Sequence, residues 1–160
     1  MMSIPLSKAN IMEKKITELI EVEKPLVLSE ETKVKEAVDL IREKSIGSVL
    51  VIDLEGKLSG IFTERDLATK VDFACNLWQD HSIKQYMTAN PFFIREEDLL
   101  CDLINNMSVG HYRHMPMVKE SGEPVGVISI KDLLPLMVDS FGTGVDDEEL
   151  SGEFPIDLAS

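Results

Sequence analysis

Val34, Ala37, Val38 and Ile41 stand at i, i+3, i+4 and i+7, the spacing that lays one apolar stripe along a helix. The same stripe returns 66 positions later as Leu100, Leu103, Ile104 and Met107. Ahead of each lies a short apolar run that predicts a strand, Leu26-Val27-Leu28 or Phe92-Phe93-Ile94. Behind each comes a second run, Val49 to Ile52 or Met115 to Val118, then a turn bearing Gly56 or Gly122. A further strand follows, Leu58 to Thr63 or Pro124 to Ser129, and another helix begins. Two strands joined by a tight glycine turn form an antiparallel hairpin. Each copy therefore predicts β-α-β-β-α.

Sliding the chain against itself lays Pro25–Leu67 over Pro91–Leu133 without a gap. The identities fall at Pro25/Pro91, Glu30/Glu96, Glu31/Glu97, Gly56/Gly122, Gly60/Gly126, Asp66/Asp132 and Leu67/Leu133. They are few; the matched order of residue types carries the repeat. One copy has too little core to stand comfortably alone. The predicted fold is α+β, two β-α-β-β-α repeats packed sheet to sheet with pseudo-two-fold symmetry and helices outside. The expected divisions are an N-terminal segment at 1–20 with a short helix over Met12–Ile20, repeat 1 at 21–72, a connector helix at 73–86, repeat 2 at 87–140, and a tail at 141–160. Leu67, Val71, Ala74, Cys75 and Trp78 read as one helical stripe running into that connector. Gly60 and Gly126, inside strands, mark either a bulge or a close approach of backbone or ligand. Pro116 points to an edge position.

Charge narrows the partners. With 16 basic against 29 acidic residues the net charge is −13, which argues against a nucleic-acid polymer or an anionic membrane. A small anionic ligand in a locally basic cleft remains compatible. Asp146 to Asp157 holds acidic residues and no basic one, an acidic tail. Met1–Lys8 contains no apolar run suited to a signal peptide or membrane span, so the expected location is cytoplasmic. Cys75 and Cys101 lack metal-ligand spacing and are expected as apolar packing residues; His81 is expected at the surface, His111 near the cleft mouth. No metal site is expected.

The candidate chemistry sits where each hairpin ends, in Thr63-Glu64-Arg65-Asp66-Leu67 and Ser129-Ile130-Lys131-Asp132-Leu133. A hydroxyl followed three residues later by an acid can simply cap a helix. It can also serve a nucleoside phosphate, because a carboxylate accepts both ribose hydroxyls and neighbouring amides and cations suit phosphate. Three features favour the second use: the acid is Asp rather than the longer Glu, a basic Arg65 or Lys131 stands beside it, and both boxes follow a Gly-apolar-apolar-Thr/Ser strand end.

Those two strand ends with their boxes, together with Tyr86-Met87-Thr88-Ala89-Asn90-Pro91 and Tyr112-Arg113-His114-Met115-Pro116-Met117-Val118, resemble the signature of CBS domains over about residues 16–138. The resemblance implies a paired module, often a homodimer, whose clefts hold AMP, ADP, ATP or S-adenosylmethionine. It would place ribose hydroxyls on Asp66 and Asp132, and Thr63 and Ser129 on sugar or phosphate. Arg113 and His114 would face phosphate, with Arg65 and Lys131 nearby. The main chain near Val27 and from Thr88 and Ala89 to Pro91 would border the base. The copies differ: Gly47 and Ser48 stand where copy two has Arg113 and His114, which predicts one competent site and one that is weak, empty or differently charged. The expected function is a regulatory module signalling in trans to an effector protein, the alternative a dimeric interaction scaffold with vestigial clefts. No Ser/His/Asp set, phosphate loop or facing carboxylate pair suggests an enzyme, and no catalytic residue is assigned.

Overall fold

The computed structural model describes residues 11–141, with side chains through residue 138. Within them the element order is α1 (Ile16–Leu19), β1 (Val27–Ser29), α2 (Val34–Lys44), β2 (Ser48–Ile52), β3 (Leu58–Thr63), α3 (Glu64–Lys70), β4 (Thr88–Ala89), α4 (Leu100–Gly110), β5 (His114–Val118), β6 (Pro124–Ser129) and α5 (Leu134–Phe141). The repeat is present as expected. Both hairpins turn through a glycine at positive φ, Gly56 at 78° and Gly122 at 88°. Both also carry the same register shift, at Val51/Ile52 and at Met117/Val118. The expected helix stripes point inward, with Val34, Ala37 and Ile41 buried in copy one and Leu100, Leu103 and Met107 in copy two.

The first strands differ, and one residue accounts for it. In copy one β1 pairs in parallel with β2, and the Leu50 N–H donates to the Leu26 carbonyl at 2.9 Å. The residue matching Leu50 is Pro116, which has no N–H to give the Phe92 carbonyl. The expected strand Phe92–Ile94 accordingly shrinks to a single bridge, Ile94 to Met117. Phe92 and Phe93 are left exposed. Pro116 is not at an edge: β5 pairs with β6 on one side and bridges Ile94 on the other.

Each core is completed by the segment that precedes the opposite copy. Ile16 and Ile20 pack into the copy-two cluster with Ile94, Leu103, Met115 and Ile128. Ile83 and Met87 pack into the copy-one cluster with Val34, Val49, Val51 and Phe62. The backbone bonds are reciprocal. Ile16 donates to Asp98 (3.1 Å) and Leu100 to Lys14 (2.9 Å), while Ile83 donates to Thr32 (2.7 Å) and Val34 to His81 (2.9 Å). β4 lies antiparallel on β3, and Glu23 bridges Val127 of β6 in the matching place. Here the strand glycines act. A Cβ on Gly60 would stand 2.3 Å from Met87 Sδ, and one on Gly126 would stand 2.2 Å from Val22 Cγ1. The register shift lies beside each glycine, but close approach of the exchanged segment is what excludes a side chain.

Three expectations fail locally. No helix runs through 73–86: α3 ends at Lys70, and the connector forms two 3-10 turns, Asn76–Asp80 and Ile83–Gln85. The expected Met12–Ile20 helix is interrupted: Ile11 and Met12 are helical, Lys15 forms an antiparallel bridge with Leu99, and a separate helical turn covers Ile16–Leu19. Cys75 and Cys101 are both exposed, not packing residues. The acidic tail lies outside the described residues.

Candidate functional site

The two hairpins end facing one another, and their ends line one continuous cleft of about 1260 Å³. The symmetry is visible in the main chain. The Glu64 N–H donates to the Gly47 carbonyl (3.2 Å), and the Ile130 N–H donates to the Arg113 carbonyl (2.8 Å). Of the residues named from the sequence, Thr63, Arg65, Asp66, Thr88, Arg113, His114, Ser129, Lys131 and Asp132 are brought together along this cleft. Ala89 does not; it is exposed and pairs with Gly60 in the sheet. The His111 carbonyl accepts a bond from Arg65 Nη1 at 3.3 Å, and the His111 backbone is left-handed at φ 53°. His81 is half-buried, its Nδ1 2.6 Å from the Tyr86 hydroxyl, rather than free at the surface.

Both boxes do cap their helices. The Thr63 hydroxyl accepts from the Asp66 N–H at 3.2 Å, and the Ser129 hydroxyl accepts from the Lys131 N–H at 3.0 Å. Each Asp returns a bond from the N-cap amide, 2.9 Å for Asp66 and 2.6 Å for Asp132. Beyond that they diverge. Asp66 is 5% exposed and also accepts from the Thr63 hydroxyl (2.7 Å), the Thr88 hydroxyl (2.9 Å) and the Lys70 ammonium (2.7 Å). For this residue the cap, Thr88 and Lys70 take up the carboxylate at the place where the sequence pointed to a ribose contact. Asp132 is half-buried and takes the single bond from Ser129 through Oδ2.

His114 stands opposite Ser129 in the hairpin, and its ring reaches across to copy one. A Cβ on Gly47 would meet His114 Nε2 at 2.8 Å, so the close crossing requires glycine. Burial holds this histidine below its ordinary pKa of 6.5; Glu64 and Asp132 oppose that, while Lys131 and Arg113 add to it. The cleft also has residues the sequence did not single out for it. Leu26 and Ile46 line one end, and Phe92 and Tyr112, at the matching positions, line the other with ring centroids 5.8 Å apart. Lys24, Arg42 and Glu64 add charge. Tyr112 and Phe92 were visible as members of the repeat, but their wall forms only when the hairpins are juxtaposed.

A family model described as the CBS domain matches residues 10–72 and again 83–139. The chain belongs to the CBS-domain family, with two such domains in tandem. It is 31% identical over 131 residues to an uncharacterized 17.7 kDa protein of Acidianus ambivalens, covering 81% of this chain and 78% of that one. It is 33% identical over 116 residues to the Arabidopsis thaliana protein CBSCBSPB2, covering 72% of this chain but only 21% of the plant protein. Among solved structures, a CBS-domain containing protein from Agrobacterium tumefaciens aligns at TM-score 0.66 with 27% identity over 78% of this chain and 99% of that chain. The fold is also that of CBSX2 in complex with AMP (TM-score 0.64, 20% identity, 78% and 96% covered). It is likewise that of the MJ0100 CBS pair in complex with 5′-methylthioadenosine and S-adenosyl-L-methionine (0.67, 22%, 78% and 95%).

Proposed function

We propose that this CBS pair is a regulatory module that binds one adenosyl ligand, AMP, ADP, ATP or S-adenosylmethionine, in the cleft between its copies. The observation that carries the reading is Asp132, a half-buried carboxylate with its Oδ1 unbonded, in a cleft that also holds Arg113, Lys131 and His114. A ribose diol can donate to that carboxylate, the cations suit phosphate or a carboxylate, and the apolar walls suit a purine. Family members of the same fold in complex with AMP and with S-adenosyl-L-methionine support the ligand class. Binding changes the relative pose of the copies only through a difference in affinity between poses. The reading includes a homodimer that passes this change in trans to an effector protein within the cytoplasm. Among the described residues no helix is long and apolar enough to cross a membrane.

Asp66, enclosed in its own cap, favours the second reading for its half of the cleft: an interaction scaffold with a vestigial site. Thermal shift with the four ligands separates the two. A ligand at 100 times its Kd adds about 2.7 kcal/mol of apparent stability. Asp132→Ala should abolish that shift while lowering stability by only about 1 kcal/mol, the worth of a cap. Unchanged melting with all four ligands leaves the scaffold.

A further inference from the structure

The divergence of Asp66 from Asp132 has an identifiable cause. Lys70 stands one turn after Asp66; its ammonium lies 2.7 Å from Oδ1 and donates to the Met87 carbonyl (3.1 Å) and the Thr88 hydroxyl (3.2 Å). Thr88 in turn donates to the same Oδ1, while Oδ2 takes the amide and hydroxyl of Thr63. Moving 66 positions along the chain puts Leu136 in the place of Lys70 and Val22 in the place of Thr88. Neither side chain has a donor. The two halves share a backbone and a capping box, and they differ in whether a cation and a hydroxyl close over the carboxylate.

We propose that Lys70, assisted by Thr88, is a built-in occupant of the copy-one half, which limits the cleft to one adenosyl ligand, seated at Asp132. The inference rests on the ligand reading above and adds the residue that sets the stoichiometry. A ribose diol entering at Asp66 would have to displace a charge-assisted pair with two neutral hydroxyl bonds, in a place where the carboxylate is nearly shut off from water. It would also take from the ammonium its one charged partner, leaving it the Met87 carbonyl, the Thr88 hydroxyl and solvent. At Asp132 no such exchange is needed.

Isothermal titration of the full chain with AMP tests this. The wild type should bind one AMP per chain. Lys70→Leu, which copies the residue of the second repeat, should bind two, and Asp66→Ala in that background should return the count to one. Lys70→Met, which keeps nearly the length of the side chain without its charge or a donor, serves if the leucine variant melts early. It should raise the count likewise. Two AMP per chain in the wild type, or one per chain in both folded Lys70 variants, overturns the role of Lys70 and leaves the ligand reading standing. No binding by the wild type of AMP, ADP, ATP or S-adenosylmethionine overturns the ligand reading itself, and the inference with it.

Discussion

His114 crosses from copy two to lie against Gly47, with Glu64, Asp132, Lys131 and Arg113 as the charges around it. Because burial is the largest influence and lowers its pKa, the folded chain holds this proton less readily than the unfolded chain. The stability that follows from keeping the ring neutral is fully present above the ordinary value of 6.5 and is lost as pH falls through the lowered folded value. Melting temperature should therefore drop between pH 7 and pH 5 more steeply in the wild type than in His114→Gln. Parallel curves for the two would show that other groups carry the acid response. A phosphate seated beside the ring works the other way, favouring the protonated form, so AMP should gain affinity relative to adenosine as the solution is acidified toward pH 6.

At the scale of elements, the strand glycines test the exchange of segments between copies. Gly126 faces Val22, whose branched side chain has one strongly preferred rotamer; Gly60 faces Met87, whose thioether can swing aside. Gly126→Ala should therefore destabilise by about 1–3 kcal/mol, in the range of overpacked cores, and Gly60→Ala by less. Denaturant midpoints measure both, and an order of effect reversed from this one would mean that the segment around Val22 is free to move. Much at this scale could be read directly from the chain. The stripes, hairpins and turns depend on neighbours a few residues apart, and their spacing is written in apolar positions. The connector helix failed for a related reason: the stripe from Leu67 to Trp78 has helical spacing, yet Ile83 and Met87 are required in the copy-one core, and the chain turns toward it. The loss of a regular first strand in copy two was likewise encoded in Pro116, but its consequence required knowing that position 116 has a neighbour on both sides.

For the whole molecule, the unequal outer faces of the two copies bear on assembly. Ile130, Leu134, Met137 and Val138 are about half or more exposed along one face leading into α5. Their counterparts in copy one are Glu64, Ala68, Val71 and Asp72, of which the only large apolar one, Val71, is buried. An apolar face present in one copy and not in the other is suited to a two-fold interface, where the same surface pairs with itself and closes. The homodimer proposed above should then form through this face. Sedimentation velocity should show a dimer for the wild type and a monomer for Met137→Glu; a dimer unaffected by that charge places the interface elsewhere.

Sequence alone determined the repeat, the hairpin boundaries, the family resemblance and many of the polar residues that come to the cleft, because all of these follow from local spacing and residue type. Tertiary structure decided which of two like carboxylates stays available. Asp66 and Asp132 occupy the same place in the same motif, and their difference lies in Lys70 and Thr88, one a helical turn away and the other 22 residues along on an exchanged strand. A hydrogen bond depends on distance and direction between groups that the chain brings together only on folding, and no pattern of spacing along it specifies which donors will reach a given oxygen.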